Sequence, residues 1–200
     1  MIRVVLVEDQ EMVRGALSAL LDIEDDLQVV ATARDGLEAL EQLRRVEADV
    51  IVTDVEMPRM DGIALCKQAR EGAPSLRVLV LSTFARAGYL ERALAAGASG
   101  YLLKDSPANT LAAAIRAAVE GRKTIDPELA AAACTEPDPL TRREREVLRL
   151  AEVGKSTEQM AASMDLAEGT VRNYLSSAMG KLDARNRTEA AATARAKGWL

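Results

Sequence analysis

The stretch VIVTDVEMPRMDG, residues 50–62, decides the fold. An apolar run carries one aspartate, Asp54, near its end, and Met57-Pro58 and Asp61-Gly62 turn the chain immediately afterwards. A strand that is apolar throughout and finishes on a charge belongs inside a sheet, with its last residue delivered to an edge where chemistry takes place. Comparable runs stand on either side: IRVVLV at 2–7, QVVATA at 28–33, RVLVLST at 77–83 and SGYLLK at 99–104, with DVIVTDV at 49–55 the third in order. Such runs suit parallel strands covered on both faces. Helical spacing fills the intervals, roughly 10–22, 36–46, 61–71, 87–96 and 106–121, and Leu37, Leu40 and Leu43 form one stripe predicted to face the sheet. Five strand–helix repeats predict a doubly wound α/β domain over residues 1–121, with ligands outside the carboxyl ends of the strands.

That edge is where the chemistry-bearing residues gather. Strand one ends in Glu8 and Asp9, strand three in Asp54, strand four in Ser82 and strand five in Lys104. Three clustered carboxylates repel one another and need a positive neutraliser. A hard divalent cation such as Mg²⁺ accepts oxygen ligands and keeps several waters, so two carboxylates and a backbone carbonyl suffice. Lys104 supplies a fixed ammonium and Ser82 a hydroxyl. Taken singly, Glu8 reads as a solvated turn acid. Taken together, the set suits phosphoryl transfer to an aspartate, a reaction governed by positioning and electrostatics.

The pattern breaks at RKTIDPELAAAACTEPDP, residues 122–139, where Pro127, Pro137 and Pro139 flank an alanine-rich piece with the composition of a short helix. Residues 122–138 are predicted to be a linker. Beyond it, residues 139–200 hold four helix-like pieces and no strand: TRREREVLRLAEV, TEQMAASM, EGTVRNYLSSAMGKL and RTEAAATARAKG. Thr141 followed by Glu144 forms a capping box ahead of Val147, Leu148 and Ala151. Val171, Leu175, Met179 and Leu182 make an apolar stripe on the third piece, opposite Arg172, Asn173, Ser176, Ser177 and Lys181. TEQMAASM, the turn DLAE and EGTVRNYLSSAMGKL compose a helix-turn-helix whose second helix can enter a major groove. Arginine and asparagine suit base edges, while serine, threonine, lysine and amides serve phosphates.

Charge divides the same way. Residues 1–124 carry 15 Lys+Arg against 19 Asp+Glu, and residues 139–200 carry 11 against 8. The chain has 0 histidines, which excludes histidine catalysis and histidine zinc sites. Cys66 and Cys134 have no metal-ligand spacing, and a disulfide between them is not expected in a reducing compartment. No apolar segment approaches the length of a membrane span, and MIRVVLVED turns acidic too early for a signal peptide. The expected location is the cytoplasm.

The motifs VEDQ (7–10), DVEMPRMDG (54–62), LSTFA (81–85) and GYLLKD (100–105) resemble those of the flavodoxin/CheY-like receiver domain of bacterial two-component response regulators. The resemblance implies that Asp54 accepts phosphate from a sensor histidine kinase. It also implies that Glu8, Asp9, Asp54 and the Glu56 carbonyl arrange Mg²⁺. Ser82 and Lys104 would contact the phosphoryl oxygens, and Tyr101 is the switch aromatic. Glu56 and Phe84 match positions that set phosphate lifetime. Asp105 departs from the family's frequent proline, which makes a cis peptide there less secure. PLTRREREVLRLAEVGKSTEQMA and EGTVRNYLSSAMGKLDARNRTEA are similar to the LuxR/NarL-type helix-turn-helix domain. By position Arg172, Asn173 and Ser176 face the groove; Lys155, Thr157, Thr170, Tyr174, Lys181 and Arg187 are backbone or supporting contacts, with Ser156 beside them. Many relatives carry histidine at Tyr174.

The whole resembles a NarL/FixJ-class response regulator, not an enzyme, that binds double-stranded DNA as a homodimer on phosphorylation. IEDD (23–26), STFARAGY (82–89), GTVRNY and the terminal KGWL resemble the DesR-like subgroup that regulates membrane-lipid desaturase genes. Two other classes share these features: a phosphatase using the same Mg²⁺ pocket, which would need a substrate-covering domain, and a phosphorylation-independent DNA reader with a degenerate receiver.

Overall fold

The structure is a computed structural model that describes residues 1–83, 85–135 and 138–200, without the side chains of residues 87, 108 and 132–135. Phe84, Pro137 and the Cys134 side chain, each named above, therefore lie outside the described residues. The chain forms two compact units, Met1–Ala85 with Leu90–Ala131, and Ala132–Leu200 with Arg86–Tyr89.

The first unit is a six-stranded parallel sheet in the order β2-β1-β3-β4-β5-β6. Its strands are β1 (Ile2–Val7), β2 (Leu27–Ala33), β3 (Val50–Asp54), β4 (Arg77–Ser82), β5 (Gly100–Leu103) and β6 (Thr124–Ile125). Helices α1 (Glu11–Asp22), α2 (Gly36–Gln42), α3 (Gly62–Gly72), α4 (Ala87–Ala95) and α5 (Ala108–Val119) make the crossovers. Alternate residues explain why the central strands are apolar without a break. Val4, Leu6, Val50, Val52, Leu79 and Leu81 pack in one core with Leu21 of α1 and Ala112, Ile115 and Ala118 of α5. Their neighbours Val5, Val7, Ile51, Val78 and Val80 are buried as well. Each such side chain contributes about 1.5–3 kcal/mol on leaving water. Strand order reverses between β1 and β3, which run side by side with Val7 opposite Thr53. The crevice beyond these strand ends is the switch point at which open α/β sheets bind ligands.

Two expectations are corrected. Helix α2 stops at Gln42, and Gly36 and Ala39 are the residues it buries, while Leu37 is 41% exposed and Leu40 and Leu43 are half-buried. The inward face is a tight one: a Cβ on Gly36 would stand 2.5 Å from Met60 Cγ, so small residues rather than leucines fill it. The predicted linker also contributes to the sheet. Gly121, at φ +81°, turns the chain out of α5, and β6 then pairs with β5, Gly100 opposite Thr124 and Tyr101 opposite Ile125. Helix α6 (Pro127–Thr135) is the alanine-rich piece. No peptide bond among the described residues is cis.

The second unit holds α7 (Arg142–Glu152), α8 (Thr157–Met164), α9 (Glu168–Lys181) and α10 (Arg187–Ala196). Thr141 and Glu144 form the expected capping box, and Ser156 with Gln159 forms another at α8. Asp165 ends α8 in the left-handed region, φ +53°, and turns the chain into α9. Val147, Leu148, Met160, Val171, Leu175, Ala178, Ala190 and Trp199 share one core, with Tyr174, Met179 and Leu182 packed against it.

Candidate functional site: an acidic strand-end pocket and an exposed helix face

Glu8, Asp9 and Asp54 converge at the crevice, with a carboxylate oxygen of each within 4.8 Å of the others. Glu8 is 1% exposed and Asp54 7%, whereas Asp9 is open to solvent. Lys104 spans the buried pair, its Nζ 2.7 Å from Glu8 Oε2 and 3.0 Å from Asp54 Oδ2. Asp54 Oδ1 accepts the Val55 amide at 2.7 Å, and Glu8 Oε1 the Gln10 amide at 3.3 Å. Burial raises both carboxyls above their ordinary values, against the pull of Lys104. Burial would lower Lys104, yet its bonds to Glu8 and Asp54 lift it above its usual value. Three carboxylates against one ammonium leave two formal negative charges, the complement of a divalent cation with oxygen ligands.

The remaining residues fall into place around this centre. Ser82 is buried at the end of β4, and the Lys104 amide donates to its carbonyl at 2.8 Å. Tyr101 is fully buried on β5. Glu56 lies exposed in the loop after β3. The start of α3 approaches Asp54 so closely that a Cβ on Gly62 would stand 1.9 Å from the Asp54 carbonyl oxygen. Arg14 Nη1 donates to the Glu8 carbonyl at 2.7 Å, a support that helical spacing alone does not signal. Cys66 is buried and free, its thiol pushed up to about 11 by burial, far from a reactive pKa.

In the second unit α9 sorts its residues by face. Val171, Leu175 and Ala178 are buried, while Arg172, Asn173 and Ser176 are exposed, with Arg172 bonded to Glu168 at 2.6 Å. Thr170 and Tyr174 are half-buried, and Tyr174 packs on the core. Thr157 opens α8 and Arg187 opens α10. Lys155 Nζ contacts Ser163 Oγ at 3.0 Å. Lys181 turns inward: its Nζ lies 2.7 Å from Glu144 Oε2. Ser177 donates to Glu144 Oε1 at 2.6 Å, so the α7 capping residue also grips α9. The capping box was legible in the sequence, but this second grip was not, because residues 33 and 37 positions apart leave no local spacing signal.

Comparison with known proteins agrees with this geometry. The response regulator receiver domain family matches residues 4–116, and the LuxR family of bacterial regulatory proteins matches residues 138–194. The chain is 46% identical to the uncharacterized transcriptional regulatory protein YvfU of Bacillus subtilis and 42% identical to the transcriptional regulatory protein DesR of the same organism, each over 100% of both chains. A structure of two RcsB dimers bound to two parallel DNAs is similar at a TM-score of 0.69 and 25% identity, covering 97% of this chain and 98% of that one. Among the described residues no helix is long and apolar enough to cross a membrane. A receiver domain with an acidic strand-end pocket in one unit and a LuxR-type helix-turn-helix in the other make this chain a member of the LuxR-type response regulators, DNA-binding transcription factors rather than enzymes.

Proposed function

We propose that Asp54 is the phosphoacceptor of a Mg²⁺-dependent switch that controls promoter binding. The observation that carries this reading is the meeting of Glu8, Asp9, Asp54 and Lys104 at one strand edge. Mg²⁺, held by Glu8, Asp9, Asp54 and the Glu56 carbonyl, would offset charge on the phosphoryl oxygens. An Asp54 carboxylate oxygen forms the new P–O bond as the P–N bond of a kinase phosphohistidine breaks. Lys104 and the Ser82 hydroxyl then bind the phosphoryl oxygens. The phosphate adds about 1.5–2 negative charges and strong acceptors, which draw these groups in, and Tyr101 follows as the packing of the β4–β5 face changes.

The phosphorylated chain dimerises in the cytoplasm and presents paired α9 helices to a two-fold operator. Arg172, Asn173 and Ser176 read base edges; Lys155, Thr157, Thr170, Tyr174 and Arg187 serve the backbone or support the helix. Lys181 keeps a supporting part through Glu144. The identity to DesR, with the IEDD, STFARAGY, GTVRNY and KGWL stretches, supports membrane-lipid genes as targets.

The experiment is acetyl phosphate or beryllofluoride treatment with Mg²⁺, read by sedimentation and by selection from a random DNA pool. A rise in mass and DNA affinity that D54N lacks is the expected result, and the recovered operator identifies the genes. Equal DNA binding in both states would overturn the switch.

A further inference from the structure

Asp35 is 1% exposed and belongs to neither the acidic pocket nor the sheet core. One oxygen, Oδ1, accepts the Leu37 and Glu38 amides at 2.9 and 3.1 Å and starts α2. The other, Oδ2, receives the Arg59 guanidinium through Nε at 2.6 Å and through Nη2. Arg59 reaches it from a left-handed backbone, φ +62°, that non-glycine residues adopt only when surrounding contacts hold them there. Its neighbour is fastened as well: the Gly36 amide donates to the Met60 carbonyl at 3.2 Å, and a Cβ on Gly36 would stand 2.5 Å from Met60 Cγ.

These contacts close a circuit. The loop that leaves Asp54 is tied at its base by the Gly62 amide to the Val55 carbonyl, 3.0 Å, and at its far side to the start of α2. Glu56, whose carbonyl is the proposed metal ligand, lies inside the circuit. We infer that Asp35, acting through Arg59, is a positioning residue for the phosphoacceptor site, holding the loop that presents the Glu56 carbonyl. A cap alone would use one oxygen. The second oxygen's forked bond to a strained loop residue has no role in starting α2.

The inference rests on the Mg²⁺ reading above, so the wild-type chain is titrated first. Mg²⁺ affinity is measured by calorimetry on full-length wild type, R59G and R59K, beside thermal unfolding and the amide NMR shifts of residues 55–57 and 59–62. Glycine accepts φ +62° without strain, so R59G removes the tether while relieving the backbone. The expected result is a Mg²⁺ affinity about tenfold weaker in R59G, with the unfolding temperature kept and the amide shifts displaced. R59K, which returns the charge without the fork, recovers part of the affinity. Wild-type Mg²⁺ binding in R59G overturns the inference and leaves the Mg²⁺ reading standing. A wild-type chain that binds no Mg²⁺ overturns both.

Discussion

Lys104 Nζ stands 2.7 Å from Glu8 Oε2, a contact between residues 96 positions apart in the chain. The ammonium therefore occupies part of the negative field that a cation would also seek. Replacing Lys104 with methionine leaves three carboxylates and no ammonium, so K104M should bind Mg²⁺ about tenfold more tightly than wild type while losing beryllofluoride binding. Parallel calorimetric titrations with the two ligands check this, and a weaker Mg²⁺ affinity would show that the lysine organises the carboxylates rather than competing for them.

Gly62 makes a steric prediction at the same strand end. A methyl group there meets the Asp54 carbonyl oxygen at 1.9 Å, and backbone does not yield as a flexible side chain does. G62A should cost about 1–3 kcal/mol or more and weaken Mg²⁺ binding with it. Chemical denaturation and metal titration of one preparation measure both.

In the second unit, Glu144 makes a pH prediction. Burial would raise its carboxyl, but Lys181, Ser177 and the Thr141 amide outweigh that and hold it at about 2, below its ordinary 4.5. A depressed folded-state pKa contributes stability that is complete above the ordinary carboxyl range and is lost as pH falls from there toward 2. The single tryptophan, Trp199, lies in this unit's core and reports its unfolding by fluorescence. E144Q should flatten the acid limb and lower stability near neutral pH by about 2 kcal/mol.

Helix α9 separates reading from folding. N173A, on the exposed face, should lower affinity for the selected operator by about 1–3 kcal/mol and leave the unfolding temperature unchanged. L175A empties a core position and should cost about 2–5 kcal/mol of stability as well as DNA affinity. Mobility-shift titrations beside thermal melts of both variants decide the assignment.

Central features of the fold were open to reading because their causes are local. Apolar strands ending in Glu8, Asp54, Ser82 and Lys104 announce a sheet edge before any contact is known. The Thr141–Glu144 cap likewise needs only four consecutive residues. What escaped the reading depends on distance or on phase. Three leucines at steps of three signal an inward stripe on α2, whereas the small Gly36 and Ala39 that the helix buries carry no such signal. The short β6 carries no periodicity in two residues and exists only because β5 offers an edge. The Asp35–Arg59 and Glu144–Lys181 pairs join residues 24 and 37 positions apart, where charge patterning along the chain is silent.

The sixth strand bears on how such proteins are recombined. The Asp126 amide donates to the Tyr101 carbonyl at 3.0 Å, and Ser106 Oγ meets Asp126 Oδ2 at 3.0 Å, so the segment after α5 is stitched to β5 and the turn that follows it. A chimera cut at residue 121 would leave β5 with bare amides and carbonyls, an invitation to edge-to-edge aggregation. A splice placed past residue 131 carries that selvedge with the receiver half, and grafted regulators built this way should be the soluble ones.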